Sequence, residues 1–496
     1  MTTRSALATT ALAASILGSH AAEIPARLGW LPSDPININL TGGHAYDLWL
    51  NLAGSQNMQR TVPFVFNGTE IPMPHIVPGN ANGGMFPGMT MWTPYQSQYW
   101  TSATRGELIK ISNGTGGGPY PANASMYYGG ASPQSNVNGG TLGAKGYAIP
   151  GVKTVTFQFS LGEAYGYALW DADGDGIGAN DLPKLKVFSP AGDLLETLSP
   201  ANFEVVKKAY NGSMEMPPGS GLDEDVYINT FGLQWNLGGI TQAIGSFQVD
   251  WTGVQHAQLW SMRLDQSDTP YNSFVFDLTS NWTGAGDGIW GANANWQGLS
   301  VPSSVGRAVF ATGSSAALAA DTTIGQILIN TPADFTISST TGSKLSPGLN
   351  IATQANGGPV AHVISTKVDF PTVVTLDVGA DTSLALEGNA TGTGFYKRGS
   401  GSLLLSGSND FGGALVFGGG TTTVSGTNLT SAASQLDIKN SRVILRGSDR
   451  FEGEFSAKLA GTSILGQSAW LQLGDETSGA VTQTFAQLNA AKPQYV

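Results

Sequence analysis

Short runs of alternating apolar and polar residues, broken every few positions by Gly, Pro, Asn, Asp or Ser, run through most of the chain. That alternation is the two-residue period of a half-buried strand, and the breakers are turn formers. Tyr46 to Leu52 and Val62 to Phe66 read as early strands in an otherwise loop-dense stretch from about residue 23 to 150. From Val152 the pattern sharpens. Val155–Ser160, Tyr165–Trp170, Leu185–Phe188, Leu194–Leu198, Phe231–Trp235, Ser246–Trp251 and Ala257–Leu264 each alternate, and no long helical period separates them. Closely spaced strands of this kind predict a β-sandwich of jelly-roll type over residues 22–272.

The pattern changes after Tyr271. A Trp-rich stretch, 273–309, reads as a connector or a solenoid cap. Beyond Ala308 the apolar runs shrink, as in Ile327–Ile329, Val373–Leu376, Ser383–Leu386, Ser402–Leu405 and Arg442–Leu445, and aromatic residues thin out. Short strands with tight turns predict a β-helix or solenoid over residues 310–496, each coil burying its inner face against the next. Leu403 and Leu405 share a strand face and should both point inward. The expected fold is therefore all-β: an N-terminal jelly-roll-like sandwich followed by a C-terminal solenoid.

Composition narrows the class. Of 496 residues, 67 are Gly and only 12% are charged, while 41% are hydrophobic, enough apolar material to exclude disorder. The net charge of −12, with no run of Lys or Arg, argues against a nucleic-acid partner. No Cys occurs, which fits a protein exported by a Gram-negative-type bacterium better than a disulfide-bearing eukaryotic one. Residues 1–21 read as a signal peptide: Arg4 supplies the positive start, Ala6–Gly18 the apolar core, and Ser19-His20-Ala21 the small-x-small cleavage site. No later stretch approaches ~20 apolar residues, so no transmembrane helix is expected. Eight Asn-x-Ser/Thr triplets are what chance gives in so Asn- and Thr-rich a chain.

One segment carries a more specific pattern. In Gly394–Gly413, the residues Lys397, Gly399, Gly401, Leu403, Leu405, Gly407, Asn409, Phe411 and Gly413 fall at fixed spacing, and Gly420–Gly426 supplies a second strand. The pattern resembles the autotransporter-associated β-strand repeat, also called the passenger-associated transport repeat, with the repeat unit at 394–426. Trp282, Gly284, Trp290, Asn295, Trp296 and Pro302 are similar to the Trp-rich segment that precedes such repeats in secreted proteins of Verrucomicrobia and related bacteria. The resemblance implies an extended, secreted or surface solenoid rather than an enzyme. About seventy residues follow the repeat, too few for a translocator barrel, so a fragment or a protein released to the medium is expected.

The strongest chemical signal is Asp171-Ala-Asp173-Gly-Asp175, followed by Asp181. Carboxylates on alternate residues around a Gly turn can wrap a hard cation, and Ca²⁺ is the expected ion, in a structural role. The loop is irregular, because Leu182 occupies the twelfth position where an EF-hand carries its bidentate acid. The other reading is a solvated acidic hairpin. Trp92, Tyr95, Tyr99 and Trp100 are candidate sugar-stacking aromatics, or equally core fillers, as are Tyr127 and Tyr128. His256 lies near Arg263, Asp265 and Asp268 in sequence; a structural histidine at a strand end is expected over a catalytic one, since no nucleophile motif accompanies it. His44, His75 and His362 are isolated, so no metal cluster follows from them. Glu215, Asp223, Glu224 and Asp225 read as a solvated acidic loop. These signals favour a non-catalytic secreted or cell-surface scaffold or adhesin, its sandwich a head for polysaccharide or surface components. A polysaccharide lyase or glycoside hydrolase is the alternative, on fold analogy.

Overall fold

A computed structural model describes residues 31–490 apart from 32, 39, 51, 53–63, 67–68, 72–94, 102–104, 116–117, 123–124, 130–135, 165–166, 179, 216–222, 414, 428–434, 451–455, 461–468, 476–477 and 485–486. The signal-peptide segment, Trp92 and His75 lie outside these residues. The described chain is all-β, with 3-10 turns at Asn293–Asn295 and Gln297–Leu299. Among the described residues no helix is long and apolar enough to cross a membrane.

The N-terminal part is a sandwich of two antiparallel sheets. One sheet centres on Thr154–Gly162 between Asp223–Asn236 and Gln258–Ser267, and continues through His44–Leu50 to the edge strand Tyr99–Trp100. The other runs from Leu194–Leu198 through Lys184–Phe188, Ser246–Val254, Asn138–Tyr147 and Glu107–Asn113 to Tyr95–Gln96. Their inner faces meet through Phe157 and Phe159 on one side and Trp251 on the other, ring centroids 5.2 and 5.3 Å apart. These rings and Trp235, Leu233, Leu185, Val249 and Leu264 form one core.

Thr154–Gly162 is buried along its whole length, although its alternation predicts one wet face. Its polar face is covered by the segment around Ile36. The Gln158 side-chain amide donates to the Ile36 carbonyl at 2.9 Å and accepts from the Ile36 N–H at 2.7 Å, as a neighbouring strand would. Arg263 on the next strand forms a buried ion pair with Asp265 at 2.7 Å and reaches Asn37 Oδ1 at 2.8 Å.

Two expectations are corrected. In the expected strand Tyr165–Trp170 the described residues, Tyr167–Trp170, form no continuous ladder: Tyr167 exchanges paired backbone hydrogen bonds with Ala164, and Leu169 makes an isolated bridge to Gly253. Glu215 and Asp223–Asp225 do not belong to a loop: they lie in the two arms of a long hairpin, Asn202–Glu215 and Asp223–Asn236, where Glu215 pairs with Asp223.

The C-terminal part is a parallel β-solenoid of two facing sheets. One path starts at Thr279–Asn281 and Arg307–Phe310, so parallel pairing begins inside the Trp-rich stretch. Its strands are longer than expected, reaching 12 residues in Lys367–Val378, with register shifts that let them bend round the coil. The second sheet stacks Ser315–Leu318, Phe335–Ser339, Val360–Ile364, Thr382–Leu386, Ser402–Leu405, Thr421–Val424, Arg442–Leu445 and Trp470–Leu473. Ile337, Ile364, Leu386, Leu405, Val424 and Leu445 form one inward column in register. Beside it runs Phe335, His362, Leu384, Leu403, Thr422 and Val443. Leu403 and Leu405 are both buried, as expected.

The nine patterned residues of 394–413 explain themselves in this setting. Lys397 occupies an inward column between Leu376 and Phe417, and its buried ammonium donates to the carbonyls of Gly399 at 2.7 Å, Gly401 at 2.8 Å and Gly419. Gly399 has φ 82°, and a Cβ there would stand 2.1 Å from the Val378 carbonyl of the coil below. Asn409 is buried, donating to the Gly407 carbonyl and accepting from the Ala390 N–H at 3.0 Å. Phe411 stacks on Phe370, centroids 5.9 Å apart.

At the first coils, Trp282, Trp290 and Trp296 pack on Phe310 and close the end of the solenoid core. Asn295 ties their loop together. It is fully buried, accepts from the Gly286 N–H at 2.7 Å, and donates to Asp287 at 2.8 Å and the Ile289 carbonyl at 2.9 Å. The sandwich is fastened to the solenoid's flank: Tyr210 stacks on Tyr396 at 4.1 Å between centroids, and Asp225 accepts from the Tyr396 hydroxyl while facing Lys439 at 3.7 Å.

Candidate functional site

The acidic loop follows Trp170, whose N–H bonds the Thr252 carbonyl and so anchors the loop to the strand Ser246–Val254. Asn136 clamps the base of the loop, accepting from the Asp171 N–H at 3.1 Å and donating to the Asp171 carbonyl. Gly174 at φ 80° and Gly176 at φ 102° turn the chain back over Asp171, conformations that side-chain-bearing residues resist. The turn aims two N–H groups at one carboxylate: Gly174 donates to Asp171 Oδ1 at 2.7 Å and Gly176 to Oδ2 at 2.8 Å. Asp181 closes the loop, accepting from Ala172 and Gly178, each at 3.1 Å.

Asp171, Asp173, Asp175 and Asp181 thereby each offer a carboxylate oxygen within 4.8 Å of the others. All four acids expected from the sequence converge, and the set could hold a metal ion. Asp171 is buried and the other three are open to solvent or nearly so. Burial pushes the Asp171 carboxyl up, but the N–H groups of Gly176 and Gly174 outweigh it and hold its pKa below the ordinary value. The Asp173 carboxyl is pushed up, chiefly by hydrogen bonding with the Asp175 carboxyl, which competes for the same proton. Four acids held this close repel one another, and a cation among them relieves that repulsion. Oxygen-only ligands with no neighbouring Cys or His suit a hard ion.

The aromatic candidates separate. Tyr95 joins the sandwich core, its hydroxyl accepting from Gln98 at 3.1 Å and its carbonyl accepting from the buried Trp49 indole at 3.2 Å. Tyr99 and Trp100 form the edge strand beside His44–Leu50, and both are half-buried. The Arg105 guanidinium lies 4.0 Å over the Trp100 ring. Tyr128 is fully buried, while Tyr127 meets His256, Oη to Nδ1 at 2.5 Å. His256 sits in the turn between two strands at φ 70°, and the structure does not bring it to the Arg263–Asp265 pair, which stays under the Ile36 segment.

The fold also creates a constellation that no contiguous stretch encodes. Between the hairpin edge and the solenoid lies a polar cleft of about 130 Å³ lined by Lys208, Tyr227, Gln326, Asn350, Thr375 and Arg398, among others. Lys208 Nζ stands 4.3 Å from the Tyr227 ring centroid, and the Arg398 guanidinium carbon 5.9 Å from the same ring. The signals that could have flagged it, two cations and a Tyr, are scattered over nearly two hundred residues.

The chain matches no family model and no curated protein. Among solved structures it is similar to the catalytic domain of a GH87 alpha-1,3-glucanase in complex with tetrasaccharides, at 11% identity and a TM-score of 0.21, over 90% of this chain and 74% of that one. A likeness of that size carries no argument about fold or chemistry.

Proposed function

We propose that this protein is a non-catalytic, secreted or cell-surface scaffold, in which the solenoid is the stalk and the sandwich an adhesive head for polysaccharide. The observation that carries this reading is the joint between the two parts. Tyr210 on Tyr396, and Asp225 between Tyr396 and Lys439, lock the head against the flank of the stalk, so that a surface is presented at fixed orientation. The buried cations support the same reading, because they brace backbone: Lys397 holds three carbonyls, and Lys207 donates to those of Leu31 and Asp34. Export rests on the Met1–Ala21 pattern. Descent from the autotransporter-associated repeat rests on the spacing at 394–426.

In this reading Asp171, Asp173, Asp175 and Asp181 bind Ca²⁺ and stiffen the head, with carboxylate oxygens closing to roughly 2.3–2.6 Å from the ion. An ion that binds only the folded state at a hundred times its Kd adds about 2.7 kcal/mol. The test is a glycan array on the full chain, with Ca²⁺ and with chelator, beside thermal melts under both conditions. Calcium should raise the melting temperature, and Asp171→Asn with Asp173→Asn should abolish the rise. Melting that ignores both Ca²⁺ and chelator overturns the calcium assignment, and an array with no bound glycan overturns the adhesive one.

A polysaccharide lyase or hydrolase is the second reading, favoured by the junction cleft, where Tyr227, Lys208 and Arg398 stand near Glu163 and Asp377. Release of reducing ends, or the absorbance of unsaturated uronic products, would establish it, provided the turnover disappears in Tyr227→Phe.

A further inference from the structure

The junction cleft carries a binding assignment of its own. In a chain of net charge −12, it gathers Lys208 and Arg398 beside the ring of Tyr227. Each cation has one acidic partner at the rim: Lys208 meets Glu163 at 3.1 Å, and Arg398 meets Asp377 through its terminal nitrogen at 2.6 Å. Neither partner uses all the donors available. Among the described residues the Arg398 Nε–H is buried without a hydrogen-bond partner, and so is the Asn350 Oδ1 acceptor. Both residues line the cleft. A buried donor on a cation and a buried amide acceptor, both unmatched, are groups that folded proteins normally satisfy.

Their complementarity defines the ligand. The Arg398 and Lys208 donors call for an anionic oxygen, and a guanidinium edge suits a planar carboxylate. Asn350 Oδ1 needs a donor, which a bare carboxylate or sulfate lacks and a hydroxyl group supplies. One molecule that brings both is a sugar acid. At roughly 30 Å³ per water, a cleft of this volume holds about four water-sized groups, enough for a carboxylate and a neighbouring hydroxyl of one sugar ring. A second cleft of about 120 Å³ shares Val205, Val206 and Gln326 with the first and adds Arg307 together with the acids Glu204 and Asp277, so it offers an anion no net positive charge. The two together form a short track along the hairpin edge.

We propose that the junction cleft binds an acidic oligosaccharide, seating one uronate unit with its carboxylate on Arg398 and Lys208 and a ring hydroxyl on Asn350. This rests on the adhesive reading above and names its ligand class and its place, which is the joint rather than the edge aromatics.

The test is isothermal titration calorimetry on the full chain with a galacturonate trisaccharide, a neutral galactose trisaccharide and sodium acetate. The acidic trisaccharide should bind and the other two should not. Lys208→Met keeps the aliphatic stem of a half-exposed side chain, and Arg398→Lys keeps the charge and the reach to Asp377. Each should weaken binding about tenfold, the worth of one charge-assisted hydrogen bond, with an unchanged circular dichroism spectrum. Acidic trisaccharide binding that is unchanged in both variants overturns the proposal. So does neutral trisaccharide bound equally well by wild type and variants, which leaves the adhesive reading standing. Failure of both trisaccharides to bind sinks the proposal and counts against adhesion as well.

Discussion

His362→Leu should make the protein more stable, and more so in acid. His362 lies in the inward column between Phe335 and Leu384, is fully buried, and neither ring nitrogen has a partner among the described residues. Each buried polar atom without a partner costs about 1–3 kcal/mol in lost hydration. Leucine has a similar volume and continues the column, so a net gain of about 1–2 kcal/mol is expected near pH 7.5 after some packing mismatch. Burial lowers the His362 pKa, against a smaller opposing effect of Asp334. A lowered folded-state pKa means that the unfolded chain takes up the proton first as pH falls. The wild type therefore keeps this contribution above the unfolded value of about 6.5 and loses up to about 1.4 kcal/mol per pH unit below it, until the folded-state pKa is reached. The Leu variant has no proton to bind, so the gap between the two proteins should widen from pH 7.5 to 5.5. Urea unfolding followed by far-ultraviolet circular dichroism at several pH values measures it. A variant less stable than wild type by more than about 1 kcal/mol would refute the column assignment. A gap independent of pH would refute the buried neutral imidazole.

Lys397→Met keeps the stem and removes the ammonium that holds three turn carbonyls; it should cost about 2–4 kcal/mol in the same assay. Asn295→Ala strips the Trp loop of four hydrogen bonds and should cost about 2–3 kcal/mol, with a changed tryptophan emission as Trp282, Trp290 and Trp296 loosen. Tyr210→Ala removes the stack on Tyr396, and should expose the hairpin arm Asn202–Glu215 to faster hydrogen exchange while the column through Leu386 and Leu405 stays protected.

What the sequence reveals depends on whether a structure is made by neighbours in the chain. Leu403 and Leu405 declare their inward direction because two residues on one strand share a face whatever lies opposite. The four acids of the loop are legible for the same local reason. Gln158 and Arg263 look like wet-face residues, since nothing in their own strands announces that the Ile36 segment will cover them. The hairpin arm Asn202–Glu215 escapes notice because register shifts near Val205 and Tyr210 interrupt its alternation, and because buried Lys207 reads as polar. Tyr167–Trp170 falls in an alternating run yet makes only isolated bridges, at Tyr167 and Leu169. The junction cleft depends wholly on how two separately legible parts meet.

The matched register of two adjacent coils makes the stalk's length an adjustable quantity at that place. Ser402 pairs with Ser383 and Thr421 with Ser402, so two successive coils here advance by the same 19 residues. Excising 402–420 would splice Gly401 onto Thr421 and return every later side chain to its former face. Excising a single residue from Ser402–Leu405 would instead turn the leucines out into water. A 19-residue segment can therefore be gained or lost at this place without redesigning the interior, and the distance from the Trp-closed end to the coils beyond it changes by one strand spacing, ~4.8 Å, each time.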